Sequence, residues 1–132
     1  MARLKFYQNE YKVYRDFWQV RYNQKDAIKI CNKLNRHFKT GASFRFSNNT
    51  IGEAYWNGLI DLPKKNIALA MICHEVGHLL SRKKYGLSGR GHNKRLAKTN
   101  KTIFKYAIKY LPINTLLNIN KQLLIEHKKG IH

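Results

Sequence analysis

The chain has 132 residues, of which 43% are hydrophobic and 12% aromatic, so it carries enough apolar material for one packed domain over 1–132, and disorder is not the expected state. Lys and Arg total 26 against 7 Asp and Glu, a formal +19, which points to polyanionic partners, with nucleic acid (DNA) first and an anionic membrane or acidic protein second. No apolar run approaches the roughly 20 residues that span a bilayer, and the start, MARLKFYQNEY, lacks the apolar stretch of a signal peptide; a cytoplasmic or nucleoid-associated protein is expected.

The charge is uneven. Residues 80–132 hold 13 basic residues and one acid, Glu126, whereas residues 1–79 hold 13 basic residues and six acids. Cys31 and Cys73 both fall in segments that read as helices with a buried face, so two buried free thiols are expected rather than a disulfide framework.

Taken in chain order, residues 4–22 fit neither a period of two nor one of 3.6. From Gln24 to Lys39 the apolar residues Ala27, Ile30, Cys31, Leu34 and Phe38 recur at helical spacing, and Thr40-Gly41 ends the helix. Residues 43–62 read as strands. Ser43-Phe44-Arg45-Phe46 alternates, Asn48-Asn49 signals a turn, and Asn57-Gly58 is a strong hairpin signal between Glu53–Trp56 and Leu59–Leu62. Asn66 is placed to cap a helix from Ile67 to Leu80, which is apolar almost all round and so expected to be buried. A glycine-rich loop, residues 86–91, leads to a helix from about His92 to Tyr110, and a last helix is expected from about Ile113 to His127.

The informative residues are His74-Glu75-Val76-Gly77-His78. Histidines at i and i+4 lie one turn apart on one helix face, where both imidazoles can reach one Zn²⁺. The intervening glutamate points close to the metal without ligating it and is suited to accept a proton from water. By residue frequencies the pattern arises by chance in roughly one chain in a hundred of this composition, which makes a coincidence the poorer reading. Catalytic zinc takes three protein ligands and keeps one open position. Treated as the start of its helix, His92 shares the sector of Leu96, Ile103 and Ala107, which must pack inward, and it is the expected third ligand. His127 falls near the apolar stripe of the last helix, where packing is its expected role; His37 reads as a surface residue at a helix end and His132 as the terminus. Lys94, Lys98, Lys101, Lys105 and Lys109 project opposite that inward sector as a row with no carboxylate from Leu79 to Ile125 to neutralise it, a candidate nucleic-acid-binding face.

From about Ser43 to Phe104 the chain resembles the SprT-like zinc metalloproteases, the Spartan-related minimal zincins. The residues that carry the resemblance are Gly52-Glu53-Ala54, Leu59-Ile60-Asp61-Leu62, HEVGH at 74–78, and Gly91-His92-Asn93-Lys94-Arg95-Leu96. It implies an α+β minimal zincin-like domain, with a small antiparallel sheet packed on a buried HExxH helix and flanking helices. It further implies His74, His78 and His92 as ligands of one zinc per chain, Glu75 as the catalytic acid–base, and protein substrates that include DNA-bound proteins. Asn93 stands where the family usually has glycine and Leu96 where an aromatic is common, and the cysteine zinc ribbon of many bacterial members is missing. Other HExxH families fit less well: the metzincin extension asks for Gly and His where Ser81 and Lys84 stand.

The expected activity is hydrolysis of peptide bonds, with Tyr55, Tyr85 and Tyr106 as candidate oxyanion donors and the strand near Tyr55 as a candidate for pairing with an extended substrate. Two other readings remain open: a nucleic-acid-binding protein with a structural zinc, and a regulatory or virus/host-directed protease.

Overall fold

A computed structural model describes residues 2–86 and 91–110. The expected last helix, with Glu126, His127 and His132, lies outside the described residues, as does most of the glycine-rich loop. Among the described residues the fold is α+β, with four helices and two small sheets.

The stretch with no clear periodicity is a helix, α1 (Ala2–Gln19), broken at Tyr14, whose φ of −114° and ψ of 31° are not helical. The pattern is blurred by chemistry: among residues 5–19 of this helix the buried ones are Glu10, Tyr14 and Phe17, so a carboxylate occupies a core position. Tyr14 stacks on Phe104 with ring centroids 3.9 Å apart, and Phe17 packs on the same ring at 4.8 Å.

A short strand, β1 (Arg21–Tyr22), leads into α2 (Gln24–Phe38), close to the predicted bounds. Asn23 caps α2 by accepting a hydrogen bond from Asp26 N at 2.8 Å. Lys39 ends it in the left-handed region at φ 53°. Lys83 then donates to the Phe38 and Lys39 carbonyls, a cation placed where the helix dipole is negative.

The strands β2 (Ser43–Ser47), β3 (Glu53–Ala54) and β4 (Leu59–Pro63) form one sheet in the order β2-β4-β3. The Asn57-Gly58 turn joins β3 to β4 as a hairpin, with Ala54 opposite Ile60. The sheet is mixed, however, and not antiparallel throughout: β2 runs parallel to β4, with Phe44 opposite Ile60. Asn48-Asn49 does not fold β2 back on itself. It starts a connection that crosses to the far edge of β4, secured where Ser47 and Asn49 donate to buried Asp61 at 2.9 and 2.7 Å. Arg45 reaches the same carboxylate, and these three donors hold its pKa below the ordinary range against the opposing effect of burial.

Asn66 is not a helix cap. It adopts φ 52°, and the chain stays extended through β5 (Ile67–Ala68), which pairs antiparallel with β1. The following helix, α3 (Leu69–Tyr85), starts where Leu69 N donates to Val20 O at 2.9 Å. It is buried from Ile72 through Ser81 and packs against α1, α2, β3, β4 and β5. The last described helix, α4 (Lys94–Tyr110), covers its remaining side. Cys31 and Cys73 are buried free thiols, and burial pushes Cys31 up to about 12. No helix among the described residues is long and apolar enough to cross a membrane.

Candidate metal centre

α3 carries His74, Glu75 and His78 on its buried length, and all three are nearly inaccessible. The third histidine arrives from just outside α4. Asn93 Oδ1 accepts hydrogen bonds from Arg95 N and Leu96 N at 3.0 and 3.1 Å, which are the donors a helix start must satisfy. The helix therefore begins after His92, and His92 does not share a helical sector with Leu96, as the sequence pattern suggested. The cap also accounts for the asparagine at 93: its side chain has a structural task there.

His74, His78 and His92 each present a ring nitrogen, and these atoms lie within 4.8 Å of one another. His74 Nε2 and His92 Nε2 are 3.3 Å apart. Two nitrogens each about 2.0–2.1 Å from a tetrahedral zinc lie roughly 3.3 Å from each other, so this spacing fits such an ion. His92 is half-buried and the other two are buried, which leaves one side of the group approachable.

The tautomer of His74 follows from its neighbour. Its Nδ1 lies 2.8 Å from Oε1 of Glu10, a buried side chain of α1. A carboxylate only accepts, so Nδ1 carries the proton and Nε2 keeps its lone pair for a metal. Asn100 on α4 donates to the other oxygen of Glu10 at 2.8 Å. Aromatic rings close the space around the histidines. Tyr7 stacks on His74 at 4.8 Å, and Phe6 meets His92 edge-on at 5.3 Å. The Tyr7 hydroxyl is 3.2 Å from His92 Nε2.

Glu75 lies beside the histidines under a tight cover. A Cβ on Gly52 would come within 2.9 Å of Glu75 Cγ, so only glycine lets the chain ahead of β3 pass this close. Burial raises the Glu75 carboxyl from its ordinary 4.5 to about 7, with His74 opposing the rise and Glu10 and Glu53 adding to it. A carboxyl near 7 both takes and gives a proton readily at neutral pH.

The tyrosines singled out from sequence are engaged elsewhere. The Tyr55 hydroxyl bonds Glu53 at 2.7 Å, Tyr85 lies under the Arg95 guanidinium, and Tyr106 stacks on His37 at 4.0 Å. Glu10 and Tyr7 were missed. Their signal was a carboxylate and an aromatic at helical spacing with Tyr14 and Phe17, obscured because a charged residue stands at a core position.

In the lysine row, Lys94, Lys98, Lys105 and Lys109 are exposed and Lys101 is half-buried. The first three lysines of the row do not face away from His92. Lys94, Lys98 and Lys101 line the same groove as His92, a cleft of about 740 Å³ between α1 and α4 floored by Phe6, Val13 and Tyr14. The reason is the position of His92 ahead of the helix, where it is free of the helical sector assigned to it.

Comparison with protein-family models, with curated proteins and with solved structures returned no match.

Proposed function

We propose that the chain is a zinc-dependent peptidase with a minimal zincin-like fold, in keeping with the SprT-like resemblance of its motifs. One observation carries the reading: three histidine nitrogens converge within 4.8 Å beside a buried glutamate that immediately follows the first of them. Structural zinc sites close all four positions with protein ligands, whereas three ligands leave one open for chemistry. Among the described residues the group is three histidines.

His74, His78 and His92 would hold the ion. When bound, zinc supplies the Lewis acidity that makes water a nucleophile near neutral pH. Glu75 takes a proton from the attacking water and passes it to the leaving amine nitrogen, the task of a carboxylate that lies beside the histidines without joining them as a ligand. Tyr7, rather than Tyr55, Tyr85 or Tyr106, donates to the oxygen that becomes negative in the tetrahedral intermediate, because its hydroxyl is 3.2 Å from His92 Nε2. β3 is an edge strand beside Glu75, and it would pair with an extended polypeptide once Arg82 releases the Ala54 carbonyl, to which it donates at 3.2 Å.

DNA-bound proteins are the proposed substrates, on the strength of the exposed lysines of α4. The same lysines favour the second reading, a nucleic-acid-binding module with a structural metal. The two separate at Glu75. Zinc content and cleavage of a DNA-bound protein are measured with and without DNA for wild type and Glu75→Gln. The peptidase reading expects one zinc in both proteins and cleavage only by the wild type. Zinc and DNA binding in both, with cleavage in neither, supports the binding module instead.

A further inference from the structure

The Glu10 carboxylate sits at the meeting point of three helices. It is 6% exposed, and each of its oxygens has one partner on a different helix: His74 Nδ1 on α3 at 2.8 Å and Asn100 Nδ2 on α4 at 2.8 Å. A buried carboxylate is costly unless its acceptor sites are filled, so this placement needs both donors. Asn100 is fixed in turn. It is 1% exposed, and its bond to Glu10 sets which end of the amide is the donor. The amide oxygen then lies against the backbone of α3 at Gly77, buried and without a hydrogen-bond partner among the described residues. A Cβ at that position would collide with the Asn100 amide and approach its Cγ to 2.7 Å. Glycine inside a helix costs about 1 kcal/mol relative to alanine. Here it makes room for the side chain that holds Glu10.

We propose that Glu10 is a positioning residue for the metal centre: it holds His74 in the Nδ1–H tautomer with Nε2 directed to the ion, and Asn100, seated on Gly77, holds Glu10. This rests on the metal-binding reading above. It makes α1 a part of the centre, and it assigns the glycine of HEVGH a role in metal binding although it ligates nothing. The physical basis is general. A carboxylate on the far nitrogen of a ligating histidine fixes the ring and raises its basicity, and loss of such a partner weakens metal binding about 10- to 100-fold.

The test is zinc affinity, read by competition with a chromophoric chelator, in wild type, Glu10→Gln, Asn100→Ala and Gly77→Ala. Unfolding of the metal-free proteins is followed alongside, so that affinity is stated per folded molecule. Phe17→Leu is the structural control. Phe17 is fully buried in the same helix but packs on Phe104, so its loss should lower stability and leave affinity unchanged. Glu10→Gln should bind zinc about 10- to 100-fold more weakly. Asn100→Ala and Gly77→Ala should weaken it in the same direction. Adding Asn100→Ala to Gly77→Ala should recover stability, because the collision is gone, while affinity stays at the level of Asn100→Ala alone. With Co²⁺ as the probe, the visible ligand-field bands of Glu10→Gln should shift from those of wild type. Should Glu10→Gln not fold, the Asn100 and Gly77 variants carry the test. Zinc affinity and Co²⁺ bands equal to wild type in the folded variants would overturn the proposal and leave the peptidase reading standing. A wild type that takes up no zinc would overturn both.

Discussion

Replacing Glu75 by Gln tests the burial argument without any substrate. In the metal-free protein burial raises this carboxyl from 4.5 to about 7. At about 1.4 kcal/mol per pKa unit, that rise amounts to roughly 3 kcal/mol. The folded state holds its proton more tightly than the unfolded chain, so no penalty exists below about pH 4.5. The penalty grows as the pH rises, because ionising the group then favours the unfolded chain, and it is complete above about pH 7. Gln has the same shape and no titration. Urea unfolding of both chelator-treated proteins from pH 4.5 to 8 should therefore show the variant gaining stability relative to wild type across that window, by roughly 3 kcal/mol in total. Taking the difference removes the contribution of histidines common to both. A difference that stays flat with pH would show that Glu75 ionises without hindrance in the folded chain, and the burial argument would fail.

Other expectations follow from the same geometry. Changing His74, His78 or His92 to Ala should each abolish stoichiometric zinc in the purified protein, measured by elemental analysis; full zinc in His92→Ala would move the third ligand elsewhere. Tyr7→Phe should retain zinc and leave KM near wild type while lowering kcat about 100-fold, the cost of one lost oxyanion donor. An unchanged kcat would remove Tyr7 from that role. Replacing Lys98, Lys105 and Lys109 by Gln should flatten the log–log salt dependence of DNA binding by roughly two to three units, at about 0.9 per phosphate contact on duplex DNA. Zinc content should not change in that variant. Cleavage of a free peptide is expected to respond as well, since Lys98 lines the groove shared with His92. An identical salt slope in the two proteins would mean that this lysine row is only a solvated surface.

Local patterns carried much of this protein. The spacing of His74 and His78, the all-round apolar character of α3, the stripe of α2 and the Asn57-Gly58 hairpin are written in residues close in the chain, where geometry follows from helical or strand periodicity alone. The pairing of β2 was not legible, because a parallel partner is chosen by packing across the sheet and leaves no mark on the strand itself. His92 was identified as the third histidine, but its placement on a helix face was wrong. Asn93 caps α4 after it, a detail that only the hydrogen bonds to Arg95 and Leu96 reveal. Glu10 is the clearest case of what tertiary structure alone decided. Its partners His74 and Asn100 lie 64 and 90 residues away, and a lone carboxylate in a broken helical pattern says nothing of either. Motifs fix which atoms a short segment presents to one side. Which distant side chain fills the remaining hydrogen bonds is settled only when the helices pack, because burial is what makes leaving them empty too costly.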